Sequence, residues 1–144
     1  MSGWIQLDRR FKRRPKPYLL HASEEPGLEA ELRQAGFKVA IVEGAGVRDE
    51  RELLVRLGAA LEFPEYYGAT WDAFVDCAGD LTGPPVALIW KNADQLLTSS
   101  LHEFVHAACM LDRTTYDLAF STARFQLALF ITGRISVFRR PPDA

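Results

Sequence analysis

Asp72, Asp76 and Asp80 recur at four-residue spacing in T-W-D-A-F-V-D-C-A-G-D, with no basic residue among them. On a helix this spacing stacks three carboxylates on one face, where each like-charged pair costs a few tenths of a kcal/mol. Something should offset that cost. A carboxylate accepts paired hydrogen bonds from an arginine much as a phosphate does, so the row has the chemistry to hold a cationic group. Asp72, near a helix N-terminus, meets the favourable end of the helix dipole; Asp76 is mid-helix, and Asp80 meets the unfavourable end. Tyr66 and Tyr67 stand just before the row, on a loop shaped by Pro64 and Gly68, and Thr70 is placed to cap the helix. Exposed tyrosines beside an acidic row are the ingredients of a hot spot for a basic protein partner. The competing reading is an ordinary solvated helix face.

A second chemistry is spelled by H-E-F-V-H, His102 to His106. It fits H-E-x-x-H, in which two histidines one turn apart bind zinc and the glutamate activates water, so a zinc metallopeptidase is the enzymatic alternative. Against it, Glu103 already has a use as the capping partner of Ser100, and the third ligand would have to be Asp112 or Asp117, since the remaining histidine is the distant His21. The chain has no G-x-S-x-G, no phosphate-binding loop and no C-x-x-C. Cys77 and Cys109 sit on apolar helix faces and read as core thiols. Trp71 and Trp90 likewise read as core aromatics.

The elements that must position these residues follow from periodicity. Y-L-L-H-A, Tyr18 to Ala22, predicts a short strand, and P-G-L-E-A-E-L-R-Q-A-G a short helix with Leu28, Leu32 and Ala35 on one face and Gly36 as its stop. K-V-A-I-V, Lys38 to Val42, predicts a buried strand. Asp49 and Glu52 can cap the next helix, whose stripe is Leu53, Leu54, Leu57 and Leu61 and which Pro64 ends. After Thr70 comes a helix with Trp71, Phe74, Val75 and Ala78 inward. P-P-V-A-L-I-W, Pro84 to Trp90, is a second strand, followed by a helix opened by Ser100 and marked by Leu101, Phe104, Val105, Ala108 and Cys109. Y-D-L-A-F-S-T predicts a third strand at Leu118–Ser121, and Q-L-A-L-F-I-T-G, Gln126 to Gly133, one more, joined so closely to the third that an antiparallel addition is expected. Strands alternating with helices imply an α/β domain with a mainly parallel sheet.

With 144 residues, 48% of them hydrophobic, the chain is long enough to bury one core and has the composition of a soluble globular protein. We expect a basic arm over 1–17 and a single domain over 18–144. The N-terminus lacks the apolar segment of a secretory signal, which predicts a cytoplasmic protein whose two cysteines, Cys77 and Cys109, stay reduced. The net charge of −2 hides an asymmetry. Arg9, Arg10, Lys12, Arg13, Arg14 and Lys16 against Asp8 give 1–18 a balance of +5, Arg134, Arg139 and Arg140 against Asp143 give 134–144 a balance of +2, and 19–133 therefore carries −9. An acidic body argues against nucleic acid as the main ligand and suits a basic protein.

P-E-Y-Y-G-A-T-W-D-A-F-V-D-C, Pro64 to Cys77, closely resembles the signature of the barstar family, intracellular inhibitors of the secreted ribonuclease barnase. The likeness runs over residues 38–122. It implies a three-stranded parallel sheet packed with helices, here Val39–Val42, Val86–Trp90 and Leu118–Ser121, extended by terminal strands and a helix. It also implies a protein that blocks a microbial ribonuclease, or a related toxin, with its acidic loop and helix. Tyr66 would then pack over the enzyme's catalytic histidine, Asp72 and Asp76 would meet its phosphate-binding residues, with Asp76 standing in for phosphate, and Gly68 and Thr70 would lie on the contacting loop. Tyr67 and Asp80 complete the expected partner-binding set, with no cofactor and no metal. One departure is that His106 and Met110 stand where the family's later helix carries interface glutamates.

Overall fold

The computed structural model describes residues 17–119, 127–135 and 138. The basic arm expected before residue 17 therefore lies outside the described residues, apart from Pro17. Strand β1 is Tyr18–His21; a 3-10 turn at Ala22–Glu24 leads into α1, Glu25–Gln34. Then follow β2 (Lys38–Glu43), α2 (Glu50–Ala60), α3 (Trp71–Gly79), β3 (Val86–Lys91), α4 (Asp94–Ser99), α5 (Leu101–Ala119) and β4 (Leu127–Gly133). The strands form one sheet in the order β1-β4-β3-β2, and every neighbouring pair is parallel.

Burial explains that order. Val86–Trp90 and all of Leu127–Gly133 are buried, so β3 and β4 are the inner strands and read as unbroken apolar runs. In β2, Ala40 and Val42 are buried while Lys38, Ile41 and Glu43 are exposed, the pattern of an edge. Crossovers between parallel strands are right-handed. From β2 to β3 to β4 the chain steps one way along the sheet, and α2, α3, α4 and α5 all lie on one face. From β1 to β2 it goes the other way, which puts α1 on the opposite face. There Leu28 and Leu32 of α1 pack with Leu20, Ala87, Ile89, Ala128 and Phe130, and Gly36, at φ 93°, ends the helix where a side chain would be strained. The larger core gathers Val42, Leu88, Trp90, Leu129 and Ile131 under Leu53, Leu57, Phe74, Phe104, Ala107 and Leu111.

Two strand expectations need correction. Leu118 is not in a strand: α5 continues through Ala119, while Phe120 and Ser121 lie outside the described residues. Residue type misleads there, since an aromatic and threonine-rich stretch reads as β. The buried positions Phe104, Ala107, Leu111, Thr114, Thr115 and Leu118 nevertheless keep helical spacing. The two threonines fit inside the helix because their hydroxyls donate back to the carbonyls of Met110 at 2.9 Å and Asp112 at 2.7 Å. The strand that follows β2 and β3 in the sheet is β4, and it is no antiparallel addition. A 19-residue helix precedes it, which makes the link a right-handed crossover, and β4 runs parallel to both β3 and β1. The added terminal strand is β1, at the outer edge of β4.

Candidate functional site

The loop from Leu61 to Thr70 holds its shape through aromatic packing. Past the end of α2, Glu62 takes φ 59°, and the chain turns so that Phe63 N–H donates to the Gly58 carbonyl at 2.9 Å and Tyr67 N–H to the Pro64 carbonyl at 2.9 Å. Phe63 meets Tyr67 and Phe74 edge-on, with centroids 5.1 and 5.6 Å apart. Ala69 is left-handed at φ 53°, a conformation costing roughly 1–2 kcal/mol outside glycine, and it aims Thr70 at the start of α3. Thr70 caps as expected, its hydroxyl accepting from Ala73 N–H at 3.1 Å. Asp49 caps α2 in the same way, accepting from Glu52 N–H at 2.9 Å.

The two tyrosines part company on this loop. Tyr66 stands 77% exposed. Tyr67 turns inward: its ring lies on Gly58 of α2, where no Cβ intervenes, and its hydroxyl donates to the Leu54 carbonyl at 2.8 Å. Burial, and then the neighbouring Cys77, push its phenol up to about 12. Tyr67 thus shapes the loop that presents Tyr66. The native state keeps this proton over the window from the ordinary value of 10 to about 12, where the unfolded chain has lost it. Native stability should therefore be untouched below pH about 10 and fall as pH rises through about 12. Alkaline unfolding of wild type and Tyr67→Phe checks this. The variant should lose that alkaline limb and, without the bond to Leu54, about 1 kcal/mol at neutral pH; an unchanged alkaline limb would contradict the assignment.

On α3 the inward residues are Phe74, Cys77 and Ala78, with Trp71 half-buried; Val75, expected inward, is 40% exposed. Three-residue and four-residue steps share the burial, so Cys77 replaces Val75 on the core side. Its thiol is pushed up by burial and then by Asp80 and Asp76. Cys109, expected in the core, is exposed and free.

Asp72 and Asp76 are exposed and, with Val75, form one wall of a cleft of about 510 Å³ whose other wall is Met110, Arg113, Thr114 and Asp117 of α5. Among the described residues, neither carboxylate has an ion-pair partner. Asp80 is the exposed C-cap of α3 and lies outside the cleft lining, and Gly68 is exposed on the loop with open space around it. The structure thus brings Asp72 and Asp76 together beside the loop of Tyr66, Gly68 and Thr70, turns Tyr67 into its support, and leaves Asp80 at the margin. Arg113, Thr114 and Asp117 were not read from sequence as parts of this surface. Their signal is the spacing of Met110, Arg113 and Asp117 on one side of α5, which a strand at Leu118–Ser121 does not bring out.

The histidine motif resolves differently. Ser100 does cap α5, accepting from Glu103 N–H at 3.3 Å, but Glu103 does not reach back. Its carboxylate accepts from the backbone N–H of Glu50 at 3.1 Å, at the start of α2. His106 Nδ1 lies 2.6 Å from the Glu50 carboxylate, while His102 is exposed. No group of three His, Cys, Asp or Glu side chains that could hold a metal ion occurs among the described residues, so the metallopeptidase alternative gains no support.

The fold is a parallel α/β domain that carries an exposed tyrosine on a braced loop and, beside it, two aspartates with no ion-pair partner among the described residues. Residues 37–130, more than half of the chain, match the family model described as Barstar (barnase inhibitor), and the chain belongs to the barstar family. The match takes in the first residues of β4. No helix among the described residues is long and apolar enough to cross a membrane.

Proposed function

We propose that this chain is a cytoplasmic immunity protein that inhibits a microbial ribonuclease of the barnase type, or a related toxin, by placing its loop and α3 in the enzyme's active site. The observation that carries this reading is the pair Asp72 and Asp76, two exposed carboxylates one turn apart with no ion-pair partner among the described residues. An active site that binds RNA phosphate presents arginines and other cations, and carboxylates in that place satisfy the same donors. Tyr66 adds aromatic area at the rim, and Gly68 and Thr70 let the loop approach closely. The negative balance of 19–133 would speed capture of a basic enzyme.

The test is titration of a barnase-type ribonuclease with the full chain. Activity on RNA should fall to background near one inhibitor per enzyme, and the association rate should drop as salt is raised, because the attraction between exposed charges is screened. Full enzyme activity at a large excess of the chain, across enzymes of this type, would remove the proposal.

A further inference from the structure

We infer that Glu50 is a positioning residue for the proposed partner-binding surface of the loop and α3, through which the protonation of His106 is felt by Trp71 at the start of α3. This deepens the reading of the loop and α3 as the partner-binding surface and rests on it.

Glu50 is the first residue of α2, and its side chain is only 18% exposed. One of its oxygens, Oε2, accepts from the Trp71 indole N–H at 2.7 Å and faces His106 Nδ1 at 2.6 Å. Its own backbone N–H donates to Glu103 at 3.1 Å. A single residue therefore ties together the starts of α2 and α3 and the first turns of α5. An ionised carboxylate has no hydrogen to give, so the hydrogen in the Glu50–His106 bond sits on Nδ1, and Nε2 is the nitrogen left to take up a proton. His106 is 49% exposed, so solvent can deliver that proton. Protonation at Nε2 keeps the same two atoms in contact but turns the bond into one charged at both ends, which is stronger and shorter. Oε2 is shared, so the indole of Trp71 must respond. Its ring also meets His106 edge-on, with centroids 6.3 Å apart.

The position of this node gives it a function. Trp71 lies between the cap residue Thr70 and Asp72, and Met110, one turn beyond His106, lines the cleft opposite Asp72. A tighter Glu50–His106 bond draws α2 and α5 together at the end of the cleft where α3 begins. The charged residues nearest in sequence on the three elements that meet at the pair are Asp49, Arg51 and Glu52 at the start of α2, Asp72 on α3, and His102 and Glu103 on α5. Glu103 is committed to the Glu50 N–H, and Glu50 is the carboxylate in contact with the imidazole.

The experiment uses the free, full-length chain labelled with ¹⁵N. The indole N–H of Trp71 and the ring of His106 are followed from about pH 8 to about pH 5, the range in which histidine ordinarily changes charge. In wild type the two signals should move with a common midpoint, while the indole of Trp90, buried on β3, stays in place. Glu50→Gln and His106→Gln should each abolish the Trp71 movement. His106→Gln leaves the contacts of Glu50 with Trp71 and Glu103 intact, so it keeps the test decisive if Glu50→Gln proves poorly folded. A Trp71 signal that stays still while His106 titrates, or one that still moves in His106→Gln or in a folded Glu50→Gln, overturns the inference. No ribonuclease enters this measurement, so its outcome is separate from that of the inhibition assay.

Discussion

Asp76→Ala should abolish most of the inhibition while leaving the free protein folded. The side chain is exposed, mid-helix, with no capping duty and no ion-pair partner among the described residues, and it faces Arg113 and Asp117 only across an open cleft. Its removal from the free chain relieves repulsion with Asp72 and Asp80 and opens no cavity, so thermal stability should stay within about 0.5 kcal/mol of wild type. In the proposed complex the consequence is different. Cations of the partner that had enclosed the carboxylate would be left buried without a counter-charge, at a cost of about 2–5 kcal/mol, expressed mainly as faster dissociation. Tyr66→Ala should cause a smaller loss, through aromatic area at the rim. Inhibition titrations and dissociation rates of the two variants, with thermal unfolding alongside, measure both halves of the expectation. Undiminished inhibition by Asp76→Ala would refute the plug, and loss of its fold would return this aspartate to a structural role.

Gly58→Ala should destabilise the protein by about 1–3 kcal/mol and weaken inhibition with it. In an exposed helix interior the same change would stabilise by about 1 kcal/mol, because alanine is the better helix former. Here Gly58 is buried within α2, and a Cβ would be driven into the Cδ2 and Cε2 atoms of Tyr67, far inside contact distance. The ring has little freedom to yield. Phe63 packs against it, its hydroxyl is tied to Leu54, and its backbone N–H is tied to Pro64. Displacing it would move Tyr66 and the residues that lead to the Thr70 cap. Urea unfolding and ribonuclease inhibition of the variant test the two consequences together. A Gly58→Ala protein of raised stability and full potency would show that Tyr67 does not brace the loop.

Much of this surface could be read locally. A helix cap, a four-residue repeat of acids and a buried apolar run are relations among residues one turn or one strand apart. Thr70, the aspartate row and the strands at Lys38–Glu43 and Val86–Lys91 therefore emerged directly. Local rules failed where two of them competed. Thr114, Thr115 and Tyr116 are residue types that favour strands, yet the helical spacing of the buried Leu111, Thr114, Thr115 and Leu118 keeps the segment in α5. Likewise Tyr66 and Tyr67 are chemically identical neighbours, and nothing within the pentapeptide P-E-Y-Y-G distinguishes them; Tyr67 goes inward because Gly58 leaves room for its ring.

The sequence by itself determined the α/β alternation, the acidic face and its spacing, the caps of α2 and α3, and the family signature, all of which are written in short-range order. Tertiary structure alone decided which strands are neighbours. Tyr18 pairs with Phe130 because right-handed crossovers return β4 between β1 and β3, a constraint on the whole chain rather than on any segment. It also decided that Asp72 and Asp76 look across a cleft at Arg113 and Asp117, and that Glu103 and His106 meet Glu50. Those partners are 53 and 56 residues apart in the chain. Their meeting depends on how helices from different crossovers pack on one face of the sheet, and no local periodicity carries that information.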